Sequence, residues 1–193
     1  MNKTRLEAFS DGVLAIVLTI MVLELKVPHG DDLHALTHLV PVFLGYVLSF
    51  VYIGIYWNNH HHLLHVTRRI DGRAMWANLH LLFWLSLVPV GTGWVGENPR
   101  APWPAALYGV PLFMAGVAWL ILQRALVACN RNDAALAALI GKNGKGKLSA
   151  ALCAAGIGLA FVHPAISDAI YALVAALWLV PDRRLERAAS SEA

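Results

Sequence analysis

Between Arg5 and Leu25 the chain reads RLEAFSDGVLAIVLTIMVLEL. Charged and polar residues occupy the first two turns, then an apolar run is broken by a single threonine. Five further apolar blocks follow, at about Leu33–Val66, Gly72–Val95, Pro102–Ala128, Leu148–Val162 and Pro164–Val180. Most approach the roughly 20 residues an α-helix needs to cross a bilayer. The pattern predicts an all-α integral membrane protein with six transmembrane helices per subunit. They cover about residues 5–25, 33–66, 72–95, 102–128, 148–162 and 164–180 of a single transmembrane domain over 1–193. The last two helices are the shortest and meet at His163-Pro164.

The charges between the blocks set a direction. With the N-terminus inside, the inner segments carry 12 Lys and Arg residues and the outer ones carry 2, Lys26 and Arg100. That bias predicts cytoplasmic N- and C-termini. Arg124 lies inside the fourth block and can snorkel to the inner surface. Composition agrees: 58% of residues are hydrophobic and 14% charged, against about half and a quarter in a soluble domain. The net charge of +3 sits in the linkers, so it reads as a topology signal and not as a nucleic-acid footprint. Glu7 and Asp11 interrupt the first block, and Glu24-Leu25-Lys26 replaces the small residues of a cleavage site, so the first block is expected to stay in the mature protein. The longest inner linker holds NDAALAALIG, an expected interfacial helical turn, then GKNGKGK, an expected flexible basic loop.

On the first helix, at about 100° per residue, Phe9, Gly12, Ile16, Thr19 and Leu23 form one stripe with Ile20 at its edge. Ser10 and Asp11 point elsewhere. A carboxylate facing lipid costs several kcal/mol, so the polar side is expected to turn toward other helices. The stripe either packs on a neighbour or lines an axis, and Ser10 or Asp11 could instead cap the helix start. Further polar residues gather in YWNNHHHLLH (Tyr56–His65), at Asp71, and in WANLH (Trp76–His80). With this orientation they fall at the depth of Ser10 and Asp11, and a buried network with every member satisfied is the least costly arrangement.

These residues carry a resemblance. Arg5 followed by Phe9-Ser10-Asp11, then Trp57 and His60 in WNNH, then Asn78 and Pro89 in MWANLHLLFWLSLVPVGT, resemble the transmembrane protein 175 family of potassium channels, over about Arg5–Thr92. The resemblance implies a homotetramer in which the first helix of each subunit lines a central pore for K⁺. No TVGYG-type filter is present. The family's pore constriction falls on Ile16 and its filter threonine on Thr19, with another apolar ring at Leu23. Gly12 and Ile20 of the same stripe are further pore-lining candidates. The family's polar network, which would orient the first helix, falls on Arg5, Phe9, Ser10, Asp11, Trp57, His60 and Asn78. Which of His60, His61 and His62 fills the histidine role is left open by the sequence.

The chain carries no GxSxG, P-loop or HExxH motif, so an enzyme is not expected, and no cofactor is implied beyond K⁺ as permeating ion. The expected partners are further copies of the chain and membrane lipid, with no nucleic acid and no soluble partner. The short chain resembles prokaryotic members, which places it in a plasma membrane. Cys129 and Cys153 form no metal or disulfide pattern. At the outer start of the second block, His29, His34 and His38 with Asp31 or Asp32 are weak candidates for a divalent metal or for sensing external pH; a solvated helix entrance is the simpler account and the one expected. The rival functional reading is a proton-coupled secondary transporter using Asp11 and the His60–His62 cluster as a relay, although no inverted repeat or broken central helix is visible.

Overall fold

A computed structural model describes residues 3–28, 36, 37, 39–141 and 144–179. Among them every regular element is helical: α1 (Lys3–Met21), a 3₁₀ turn (Val22–Glu24), α2 (Val40–His65), α3 (Gly72–Ser86), α4 (Val88–Glu97), α5 (Pro102–Cys129), α6 (Ala134–Gly141), α7 (Gly144–Leu159) and α8 (Pro164–Leu179). Local chemistry sets several of these starts. The Asp71 carboxylate accepts from the Ala74 N–H at 2.9 Å and caps α3, filling one of the donors that a helix start leaves open. Helices α2, α4 and α5 carry proline in their first turn, where a missing N–H costs nothing.

The expected third helix is two helices. Pro89 cannot donate to the carbonyl four residues earlier, and the chain turns at Leu87, whose N–H bonds back to Trp84 at 3.2 Å. Together α3 and α4 still make one apolar path, Gly72–Glu97, of 26 residues. Among the described residues four paths are long and apolar enough to cross a membrane: Lys3–Glu24, Val40–His65, Gly72–Glu97 and Pro102–Cys129. Helices α7 and α8 have 16 residues each. At about 1.5 Å per residue they reach about 24 Å, short of a hydrocarbon core of about 30 Å. The basic stretch expected to be a flexible loop is helical from Gly144. Lys145 reaches across it to α8, with Nζ 3.4 Å from the Leu177 carbonyl and 6.0 Å from the Trp178 ring centre.

Helix α5 is the hub, packed against α3, α4, α7 and α8. Ala105, Ala106, Ala115 and Ala118 are buried along it, and small residues let helix backbones approach where lipid supplies no hydrophobic drive. Gly109 and Gly156 leave the space that the fully buried Tyr171 ring fills. The Tyr171 hydroxyl donates to the Ala105 carbonyl at 3.3 Å, and the Tyr52 hydroxyl donates to the Tyr171 carbonyl at 2.6 Å. A second buried cluster joins α2, α4 and α5: Ser49 Oγ lies 2.6 Å from Thr92 Oγ1 and 2.9 Å from the Tyr108 hydroxyl. Among the described residues no buried side-chain nitrogen or oxygen lacks a partner, as hydrocarbon surroundings demand.

A β-carbon on Gly109 would collide with the Tyr171 hydroxyl and with Ile157. Gly109→Val is therefore expected to cost about 1–3 kcal/mol through overpacking. Thermal unfolding of detergent-solubilised protein, followed by size-exclusion chromatography, measures it; an unchanged midpoint would mean that α5 and α8 do not meet this way.

Candidate functional site on the first helix

Helix α1 has two unlike sides. Leu6, Ser10, Leu14, Val17 and Met21 are buried, at the four- and three-residue spacing of one helix face. This face packs against α2, α3 and α4. On the other side Phe9, Ile16, Ile20 and Leu23 are 50%, 58%, 46% and 74% exposed on the single chain. Around Gly12 there is open space. The Thr19 hydroxyl turns back on its own helix, 3.0 Å from the Ala15 carbonyl and 2.9 Å from that of Ile16, which spares it a bare hydroxyl proton on an apolar face.

The buried side is fastened at one level by a chain of polar side chains. Ser10 donates to the Leu6 carbonyl at 2.8 Å and accepts from Asn78 Nδ2 at 2.9 Å. Asn78 Oδ1 in turn lies 2.6 Å from His60 Nε2. A neutral imidazole protonated at Nε2 donates across that contact, which places the amide orientation and the tautomer in agreement. Ser10, His60 and Asn78 are at most 2% exposed, so each bond is made where water cannot replace it. One residue on, about 100° round α1, the Asp11 carboxylate accepts from Trp57 Nε1 at 3.0 Å near the surface.

The structure thus joins five of the residues singled out in the sequence, Ser10, Asp11, Trp57, His60 and Asn78. It also separates the three histidines. His60 is buried in the chain of bonds. His61 is exposed and stacks between Trp57 and His65, with ring centres 6.4 Å and 6.2 Å away. His62 is partly buried, its ring 5.7 Å from that of His61. Arg5 is exposed and stands outside the bonded chain. A tie that the sequence reading treated only as charge is Lys3, whose ammonium donates to the His65 carbonyl at 2.9 Å and stands 4.0 Å from Glu7. At the opposite end of the molecule Lys26 pairs with Glu97 at 2.6 Å, and that carboxylate raises the Lys26 pKa above its ordinary value. The outer histidines His29, His34 and His38, with Asp31 and Asp32, lie outside the described residues. Among the described residues no group of three or more His, Cys, Asp or Glu side chains is arranged to hold a metal.

A helical bundle with four membrane-length paths and a polar knot at the start of its first helix defines a class of integral membrane protein, and the comparisons narrow it. The family described as endosomal/lysosomal potassium channel TMEM175 matches residues 5–89. A potassium channel from Chryseobacterium sp. (strain P1-3) is 48% identical over 187 residues, 97% of each chain. The fold matches the crystal structure of a lysosomal potassium-selective channel TMEM175 homolog from Chamaesiphon minutus with a TM-score of 0.80 and 26% identity, over 92% of this chain and 96% of that one. The human endosomal/lysosomal proton channel TMEM175 is 38% identical over 96 residues, 43% of this chain and 19% of that protein. The chain belongs to the TMEM175 family.

Asn78 bonds to both α1 and α2. Asn78→Leu leaves His60 buried without its partner, which is expected to cost about 1–3 kcal/mol. Trp57→Phe, at a side chain 46% exposed, is expected to cost no more than about 1 kcal/mol. Thermal unfolding of the two variants side by side checks the order, and equal losses would contradict it.

Proposed function

We propose that the protein is a potassium-permeable channel of a bacterial plasma membrane, assembled from four copies of a six-helix subunit with both termini cytoplasmic. In this reading α1 from each copy lines the central pore. The observation that carries it is the two-sidedness of α1. One side is bonded into its own subunit through Ser10, and the other offers an uninterrupted exposed stripe through Gly12, Ile16, Thr19 and Leu23. The potassium-channel names of the Chryseobacterium and Chamaesiphon relatives support the ion.

Conduction is passive. Four Ile16 side chains make a hydrophobic ring that gates by dewetting: narrow, it expels water; slightly wider, it hydrates and passes ions. The Thr19 oxygens, whose protons are spent on the helix backbone, present acceptor lone pairs beyond the ring, and Leu23 forms a further apolar ring with Gly12 and Ile20 as wall. Such a pore holds no fixed charge, so it separates K⁺ from Na⁺ by dehydration cost and does so modestly. The anchor of Ser10, Asp11, Trp57, His60 and Asn78 fixes the rotation of α1 about its axis, and Arg5 and Phe9, exposed on the single chain, join it only through a neighbouring copy. A turn of about 100° is one residue and would remove Ile16 from the axis. No cofactor enters the mechanism.

A second reading has one observation in its favour: the vertebrate relatives are named proton channels. A relay would use Asp11 and the His60–His62 cluster. Asp11 and His60 are bonded to Trp57 and Asn78 respectively, and among the described residues no bond joins the two to each other.

In planar bilayers, wild type is expected to carry a current that reverses near the K⁺ potential. Ile16→Asn is expected to raise that current several-fold and to lose K⁺ preference, because a polar ring stays wet. Folded protein that carries no current and moves ions only with a proton gradient would replace the channel with the relay.

A further inference from the structure

On the inner side of the subunit, away from α1, an open cleft of about 530 Å³ lies between α5, α6 and the start of α7. Its walls are of two kinds. Leu120, Val127 and Ile140 are apolar, while Arg124, Arg131 and Lys147 bring three cations to the same opening. No carboxylate lines the cleft, and none of the three cations forms a salt bridge with a described residue. Arg124 and Arg131 are exposed, as is Lys147. The neighbouring cleft shares Arg131 and contains Asp133, but that carboxylate pairs with Arg68, 3.9 Å away.

Helix α6 gives the cleft its level in the membrane. Its sequence, AALAALIG, carries no charge. Asp133 caps its start by accepting from the Leu136 N–H at 2.9 Å, and Leu136 is buried while Ala137 and Ala138 are exposed. A short apolar helix with Arg131 before it and Lys145 and Lys147 after it follows directly on the end of α5, and basic residues grouped beside the end of a membrane span stand at the level of the headgroups. Arg124 is five residues before the end of α5, about 7.5 Å deeper at 1.5 Å per residue, and its long side chain can reach back to the same level.

We propose that this cleft binds an anionic glycerophospholipid from the inner leaflet. The phosphate is held by Arg124, Arg131 and Lys147, and an acyl chain runs along Leu120, Val127 and Ile140. Three positive charges, none of them in a salt bridge with a described residue, match a phosphodiester, and basic pockets between helices on the inner side are where anionic headgroups are held. Guanidinium groups suit phosphate because two N–H donors meet two oxygens. The apolar wall is what a free phosphate has no use for and a lipid tail does. This inference concerns lipid retention and does not depend on what the channel conducts.

The test is native mass spectrometry of the purified full-length protein, exchanged into detergent with equal amounts of phosphatidylglycerol and phosphatidylcholine. Wild type is expected to retain phosphatidylglycerol at least tenfold over phosphatidylcholine. The triple variant Arg124→Gln, Arg131→Gln, Lys147→Gln is expected to fall within twofold of no preference, while Arg100→Gln, an outer charge, keeps the wild-type ratio. Equal retention of the two lipids by wild type overturns the proposal, and that comparison stands even if the triple variant fails to fold. So does an unchanged ratio in a folded triple variant. A further arm adds millimolar inorganic phosphate: lipid that stays bound supports the proposal, and lipid displaced by phosphate replaces it with a free-anion site.

Discussion

The amide of Asn78 is the small interaction on which the arrangement of the first three helices depends. It gives its N–H to Ser10 on α1 and its oxygen to His60 on α2, so one planar group on α3 sets the height and rotation of two neighbours. In water such bonds would be exchanged freely. In a bilayer an unmade bond has no replacement, so the three helices have one satisfactory register and a steep penalty for leaving it. The other half of that constraint lies in the buried apolar residues of α1, Leu6, Leu14, Val17 and Met21, which continue the same face away from the knot.

The remainder of the subunit supports this unit from behind. Helix α5 packs against both halves of the broken span, α3 and α4, and against α7 and α8. Its contacts are made through small residues and through Tyr171 of α8, whose hydroxyl donates to the Ala105 carbonyl of α5. The break at Leu87 lets α4 diverge from α3 and bring Thr92 to Ser49 of α2. The two polar clusters thus hold α2 at separate levels, the Asn78 knot towards one end and the Ser49 cluster farther along. A helix held at two levels resists both sliding and rotation, which is the condition a two-sided neighbour such as α1 needs.

The inner surface is tied by backbone recognition. Asn130, just past α5, accepts from the Arg69 N–H and donates to the Arg69 carbonyl, each at 3.0 Å. This two-point contact imitates a pair of strand hydrogen bonds and fixes the α2–α3 connection to the end of α5. Asp133 then starts α6 three residues later. Arg68, Arg69 and Arg131 therefore stand on a connected platform at this end of the bundle.

Much of this was legible in the sequence, for a physical reason. Membrane segments must be apolar over a set length, so the blocks and their charge bias stood out, and the face carrying Ile16, Thr19 and Leu23 followed from helical periodicity alone. The depth of Ser10, His60 and Asn78 followed from orientation. What the sequence could not determine was which partners the polar groups choose, because a hydrogen bond depends on rotation and rise to within an ångström and periodicity resolves neither. Tertiary packing selected His60 over His61 and His62, left Arg5 outside the bonded chain, and placed Ser49, Thr92 and Tyr108 together from residues that each read as ordinary. It also split the third segment at Leu87, two residues before Pro89, and the position of α5 and α2 decided the new direction.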